Sequence, residues 1–323
     1  MSLGFGRVVH AQWTVPLPSI LRFEDADAVK GIITRPGVMR SWLDRNQGKL
    51  QASILKAWKH IGAEVVKTKP EYLGGRYQIP REWEQAIING YAGWAVDALV
   101  PSLLGAIHTA GKRTRDGMKS LDLESELPAE MIADGWVWAG GVDALREWTK
   151  TRSGKLISDL TLEELQSIRD ELYRYTMVDP RPWTYIAQQI RQHIGNLDRD
   201  IEVQRRMRAA LAEDGVAPAQ IEKVVERYAA QQLRRRSQTI ARTELAEAWH
   251  TGQQESIRQG LATGEIVGTI VKEWLAANDE RTCSICGALH GEQVELDEDF
   301  PGGYPHPPAH PNCVCDVIHR TKD

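Results

Sequence analysis

Cysteine is missing from the first 282 residues of this 323-residue chain. All four cysteines fall between positions 283 and 315, so its thiol chemistry is confined to one short segment. Phenylalanine is scarce as well, three against eleven tryptophans, which leaves Trp to fill the large positions of the core and of interfaces. No excess of one charge exists: 40 basic and 44 acidic residues give a formal net charge of −4, without the footprint of a dedicated duplex-DNA binder. Any nucleic-acid contact is therefore expected to be local. The opening Met1-Ser2-Leu3-Gly4-Phe5-Gly6-Arg7 is not followed by the apolar core and small-residue cleavage site of a secretory signal, so the expectation is a chain made and kept in a cytoplasm. Long apolar runs are lacking too. The most apolar stretch, Tyr91 to Ile107, is interrupted by Asp97 and Pro101, short of the roughly 18 uninterrupted residues a membrane span needs, and reads as one or two buried helices.

What is present is mostly helical periodicity. The length suggests about two domains. The first twenty residues mix Val8-Val9 with Pro16 and Pro18 and read as an extended arm over 1–20. Leu43, Ile54, Leu55, Trp58 and Ile61 define one helical face, and Trp83, Ile87, Tyr91, Trp94 and Ala98 define a second, which Pro101 ends or kinks. Thr161-Leu162-Glu163-Glu164 has the spacing of a capping box and predicts a helix starting there and running to about Tyr175, closed by Pro180 and Pro182. Further helices are predicted near Trp183, over Asp198 to Ala212, and over Ala219 to Leu261 as one long helix or two stacked ones. Ile266 to Trp274 is β-branched and alternating, a strand signal, with Cys315 to His319 as a short partner. The predicted fold is mainly α, a helical N-terminal region with a C-terminal α+β cap and a zinc-knuckle-like clasp. Its expected divisions are a helical domain over 21–154 and a second domain over 155–323, the cap occupying 265–323.

The cap carries the chemistry. Cys283-x-x-Cys286 has the two-residue spacing of a zinc knuckle, and thiolates are soft ligands that suit zinc. Cys313-x-Cys315 is tighter than usual, and His310 stands three residues before it. An all-cysteine set and a set of three cysteines with His310 both satisfy the pattern. Neither leaves an open coordination position, which favours a structural over a catalytic metal. The competing readings are a Cys283–Cys286 disulfide, a cross-linked hairpin, or unligated thiols, and a cytoplasmic origin argues against a disulfide during folding. The Pro- and Gly-rich run Pro301 to Pro308 is a stiff loop that carries His310 back toward the first pair, while Asp279 and Arg281 are candidates for turn or supporting hydrogen bonds.

Ile240-Ala241-Arg242-Thr243-Glu244-Leu245-Ala246, Gly252, Trp274, Asp279-Glu280-Arg281-Thr282-Cys283-x-x-Cys286, Leu289-His290-Gly291, Phe300 and Pro307-Pro308-Ala309-His310-Pro311-Asn312-Cys313-Val314-Cys315 occur in order. This set resembles the Mu F-like minor head protein family of tailed bacteriophages, over roughly Arg206 to Ile318. Val314 departs from it, since the family more often has a basic residue there. The resemblance implies a head-morphogenesis protein of low copy number in procapsid and virion, near the portal vertex or inner shell. Its expected partners are the portal protein, the major capsid protein or the scaffold, with no membrane and with a role in DNA packaging or ejection. It implies no reaction.

Ala241, Leu245, Ala248 and Gly252 share a small-residue helix face on which another element can pack closely. Arg242 or Glu244 is expected to tie this helix to the cysteine cap, for example through Asp279 or Arg281. The enzyme alternatives are a zinc-dependent hydrolase or nuclease acting through His290, His306 or His310, and an ADP-ribosyltransferase-like pair of Arg242 and Glu244. A scaffold-type chaperone absent from mature particles is a third class. Arg234-Arg235-Arg236 is the densest basic run; Glu222, Glu226, Glu244 and Glu247 nearly cancel it and favour a solvated face over a DNA contact.

Overall fold

The computed structural model describes residues 33–34, 37–73, 76–119, 141–179, 181–276 and 282–322. The expected arm at 1–20 and the tryptophans at 136 and 138 lie outside them.

Helix α1 (Val38–Val65) buries Met39, Leu43, Leu50, Ile54, Trp58, Ile61 and Val65, the three-, four- and seven-residue spacing of one face. A two-residue hairpin, β1 (Tyr72–Leu73) and β2 (Arg76–Tyr77), precedes α2 (Arg81–Trp94). Glu82 and Glu84 sit in the first turn of α2, where the helix dipole favours negative charge. Pro101 does not end this helix. A π turn at Ala95–Leu99 joins α2 directly to α3 (Val100–Lys119), and its wider winding accommodates a ring that would otherwise press on the carbonyl one turn back. By length and composition Arg81–Gly117 could cross a membrane. Its Trp83, Ile87, Tyr91, Trp94, Leu99, Leu103, Ala106, Ile107 and Ala110 are nevertheless packed into the protein core.

Helix α4 (Gly141–Tyr173) runs straight through Thr161, so the capping-box reading fails. Thr161 is a buried mid-helix residue, and Glu164 points inward, where its Oε1 accepts from the Tyr91 hydroxyl at 3.0 Å and the Gly195 amide at 2.9 Å. Burial pushes Glu164 up to about 7. The spacing that marks a helix start also occurs by chance within a helix, and tertiary partners for the carboxylate decide the matter. A π turn, Arg174–Val178, ends α4; α5 (Trp183–His193) and α6 (Asp198–Glu213) follow. Helix α7 (Pro218–Thr263) is a single element of 46 residues, opened by Pro218 and closed by Gly264 at φ 72°.

Helix α7 is the spine of the molecule: α1, α3 and α6 all pack along it. The predicted small-residue face is buried, and Gly252 explains its use, since a Cβ there would lie 2.5 Å from the Ile107 carbonyl oxygen of α3. One core runs from Met39 through Leu160 and Ile190 to Trp249. Helix α4 crosses positions 154 and 155, and the core draws on residues from both sides of them.

The chain then forms β3 (Ile270–Leu275), the short α8 (Ser284–Leu289), β4 (Gln293–Glu295) and β5 (Asp316–Thr321). The sheet is antiparallel with order β4-β3-β5, and β5 sets Val317 opposite Trp274 and His319 opposite Lys272. The predicted strand begins later than its β-branched run, at Ile270. Ile33 and Thr34 run along the outer edge of β5, where the Ile33 amide donates to the His319 carbonyl and the His319 amide donates to the Thr34 hydroxyl. The segment that precedes α1 thus closes the edge of a sheet built from the other end of the chain.

Candidate metal centre and the helix behind it

Cys283 caps α8: its sulfur accepts from the Cys286 amide at 3.4 Å, which places the two thiols of the knuckle on one side of a single turn. The Pro- and Gly-rich loop brings the remaining groups back to them. Its tip is a tight reversal in which Phe300 bridges Tyr304 across Gly302 and Gly303, both at positive φ. Lys272, buried on β3, donates to the Pro305 carbonyl at 2.6 Å and lies over the Phe300 ring, pinning the loop to the sheet. Trp274 meets Phe300 edge to face at 5.2 Å and floors the cluster together with Leu289 and Val317.

Five candidate ligands come together as two triads that share Cys286. Cys283, Cys286 and His310 form one; Cys286, Cys313 and Cys315 form the other; within each, the ligand atoms all lie within 4.8 Å of one another. His310 Nε2 stands 3.2 Å from the Cys283 sulfur and 3.3 Å from that of Cys286, and the Cys286 and Cys313 sulfurs are 3.7 Å apart. A tetrahedral zinc with Zn–S near 2.3 Å requires sulfurs about 3.8 Å apart, so this spacing fits. His310 Nδ1 lies 2.9 Å from the Pro311 carbonyl; donating there fixes the tautomer that leaves Nε2 a lone pair aimed at the sulfurs. All four cysteines are free thiols.

The electrostatics favour a cation at this place. The Cys315 thiol donates to Cys313 and draws it down to about 5, so one thiolate forms readily. Cys283 is lowered too, its sulfur accepting from the Cys286 amide, whereas the other two resist: burial pushes Cys286 up to about 12, and the bond to Cys313 drives Cys315 well above the usual thiol range. Negative charge beyond these two thiolates needs a compensating ion in this space. The Trp274 indole N–H, which finds no oxygen or nitrogen acceptor, acts on Cys315 in the direction that steadies its thiolate.

The other nominated histidines stay apart. His290 is exposed and accepts from the Ala276 amide, while His306 is buried against His250, with Nδ1 at the Pro307 carbonyl and burial pushing it down to about 4. Only His310 joins the sulfurs. Asp279 and Arg281 lie outside the described residues.

Among the described residues Arg242 and Glu244 bond to α1 and α4, while the partners expected for them, Asp279 and Arg281, are not among those residues. Arg242 donates to Gln47 at 3.0 Å and to Asp44 of α1 at 3.3 Å; Glu244 is gripped by both arms of Arg152 on α4, at 2.7 and 3.0 Å. The tie to the cap comes from the residue between them. Thr243 Oγ1 accepts the Asn312 amide at 2.9 Å, and Asn312 sits in the left-handed region at φ 61°, a conformation Asn adopts more readily than most residues. The clasp is thereby latched to α7 just before Cys313. An Asn in the Pro311-Asn312-Cys313 run was a readable turn signal, whereas nothing in the sequence singled out Thr243 as its acceptor.

A helical body built on one long spine carries a small β cap in which cysteines and a histidine cluster. Residues 186–318 match the family model described as Phage Mu protein F like protein, and over this segment the chain is similar to that family. The match runs from within α5 into β5, taking in the spine and the cap as far as Ile318, and this family points to a phage head morphogenesis protein and to the virion. No curated protein and no solved structure gives a significant match.

Proposed function

We propose that this chain is a structural minor head protein that acts near the portal vertex or on the inner face of the phage shell, joining the head during assembly in the host cytoplasm. The observation that supports this most is the coincidence of the family match with the spine-and-cap unit. Its partners on this reading are the portal protein, the major capsid protein or the scaffold, with local contact to packaged DNA and none to a membrane. The role is architectural rather than enzymatic, and it reaches packaging or ejection through the head's structure. Arg242 and Glu244 support this, since each is engaged in bridging helices. Zinc is the proposed ion, held by Cys283, Cys286 and Cys313 with His310 or Cys315 as the fourth ligand; bound there it would lock β3, α8 and the loop into one rigid piece.

The test is a phage carrying a nonsense codon in this reading frame, grown on suppressing and non-suppressing hosts. The expected result without suppression is aberrant or empty heads beside normal tails. Normal, filled heads would overturn the proposal.

A further inference from the structure

Helix α1 holds five basic residues against two acidic ones. Both acids are occupied: Asp44 by Arg242, and Glu64 by Lys67 at 2.6 Å. Arg45, Lys49, Lys56 and Lys59 are exposed and have no carboxylate partner among the described residues. Elsewhere Arg152, Arg205, Arg208, Arg236 and Arg258 each meet a carboxylate. The four cations recur at four, seven and three residues, which puts them on one outward face about 21 Å long at 1.5 Å per residue. Helix α7 adds exposed Arg227 and Arg234 alongside, for the Gln51 side chain donates to the Arg234 carbonyl across the seam.

We propose that this face, Arg45, Lys49, Lys56 and Lys59 of α1 with Arg227 and Arg234 of α7, binds the phosphates of double-stranded DNA without regard to sequence. The inference rests on the head-protein reading, where DNA is the abundant polyanion, but it relocates the contact. Arg236, in the densest basic run, is spent on Glu163 and the Gly195 carbonyl, and its guanidinium lies over Trp58. An acidic protein helix is the competing polyanion, and it would be expected in the apolar groove of about 280 Å³ beside Leu55, Trp58 and Leu233. That groove is rimmed by Lys59, the last cation of the row, and by Arg191, but also by Glu226, while Arg45, Lys49 and Lys56 lie outside its lining. A single row at one- and two-turn spacing along α1 suits regularly spaced phosphates better.

The experiment is fluorescence anisotropy of random-sequence duplex DNA with the full chain across a salt series. One variant carries Lys49→Gln, Lys56→Gln and Lys59→Gln; a charge-matched control carries Lys150→Gln, Lys155→Gln and Arg181→Gln, and circular dichroism checks both folds. The expected result is salt-sensitive binding that the α1 variant weakens at least tenfold, with the salt slope reduced by about three, and that the control leaves unchanged. Absence of binding at low salt, equal loss in both variants, or stronger competition by polyglutamate than by DNA would overturn the proposal. None of these outcomes bears on whether heads form without the protein, so the two readings fail separately.

Discussion

The fourth ligand is a question about single residues. His310 bridges Cys283 and Cys286, whereas Cys315 touches only the Cys286–Cys313 side. Cys283→Ser is expected to abolish stoichiometric zinc and to lower the melting temperature of the whole chain, measured by metal analysis and calorimetry. Of His310→Ala and Cys315→Ser, the one that removes the true fourth ligand releases zinc to a chelator far faster than the other. Equal full retention in both would sink the tetrahedral site. Glu164 makes a second prediction at this scale. Its carboxyl is fully buried and raised from 4.5 to about 7, so the folded state binds the proton more tightly than the unfolded chain. Its contribution to stability is complete below about pH 4.5 and is lost as the pH rises through 7. At pH 8 the loss is on the order of 3 kcal/mol. Glu164→Gln, which keeps the acceptor for Tyr91 and Gly195, should therefore match the wild type at pH 5 and exceed it at pH 8 in denaturant unfolding. A variant less stable at both pH values would refute the account. The ligand residues were legible because short cysteine spacing directly encodes proximity. Glu164 was not, because its partners Tyr91 and Gly195 are remote in sequence and its local pattern mimics a helix cap.

At the scale of elements, periodicity named α1, α2 and α7, and the β-branched run named β3, because burial of one face dictates spacing within each segment. The path of the chain at Pro101 and through Thr161 was not legible, since both depend on what neighbouring helices demand. The small face of α7 was visible as a face, but only the structure shows that α3 uses it. Gly252→Val is expected to force α3 from α7 and destabilise by about 1–3 kcal/mol or more, because the new side chain meets backbone that cannot rotate away. Gly105→Ala, on the open side of α3, should be neutral or slightly stabilising. If Gly252→Val unfolds at the same denaturant concentration as the wild type, the close crossing is wrong.

For the whole molecule, the family segment and the architecture divide differently. The match begins inside α5, yet the core that supports α7 includes α1 to α4, so the N-terminal helices stabilise the family unit as well as extending it. The edge contact of Ile33 and Thr34 with β5 closes the same circuit from the other end of the chain. The most direct test of the central claim is to locate the chain in purified phage particles by asymmetric reconstruction with quantitative mass spectrometry. The account predicts a few copies per particle, at the portal vertex or against the inner shell, with the cap ordered. Particles that lack the chain entirely, with all of it soluble in the lysate, would contradict it.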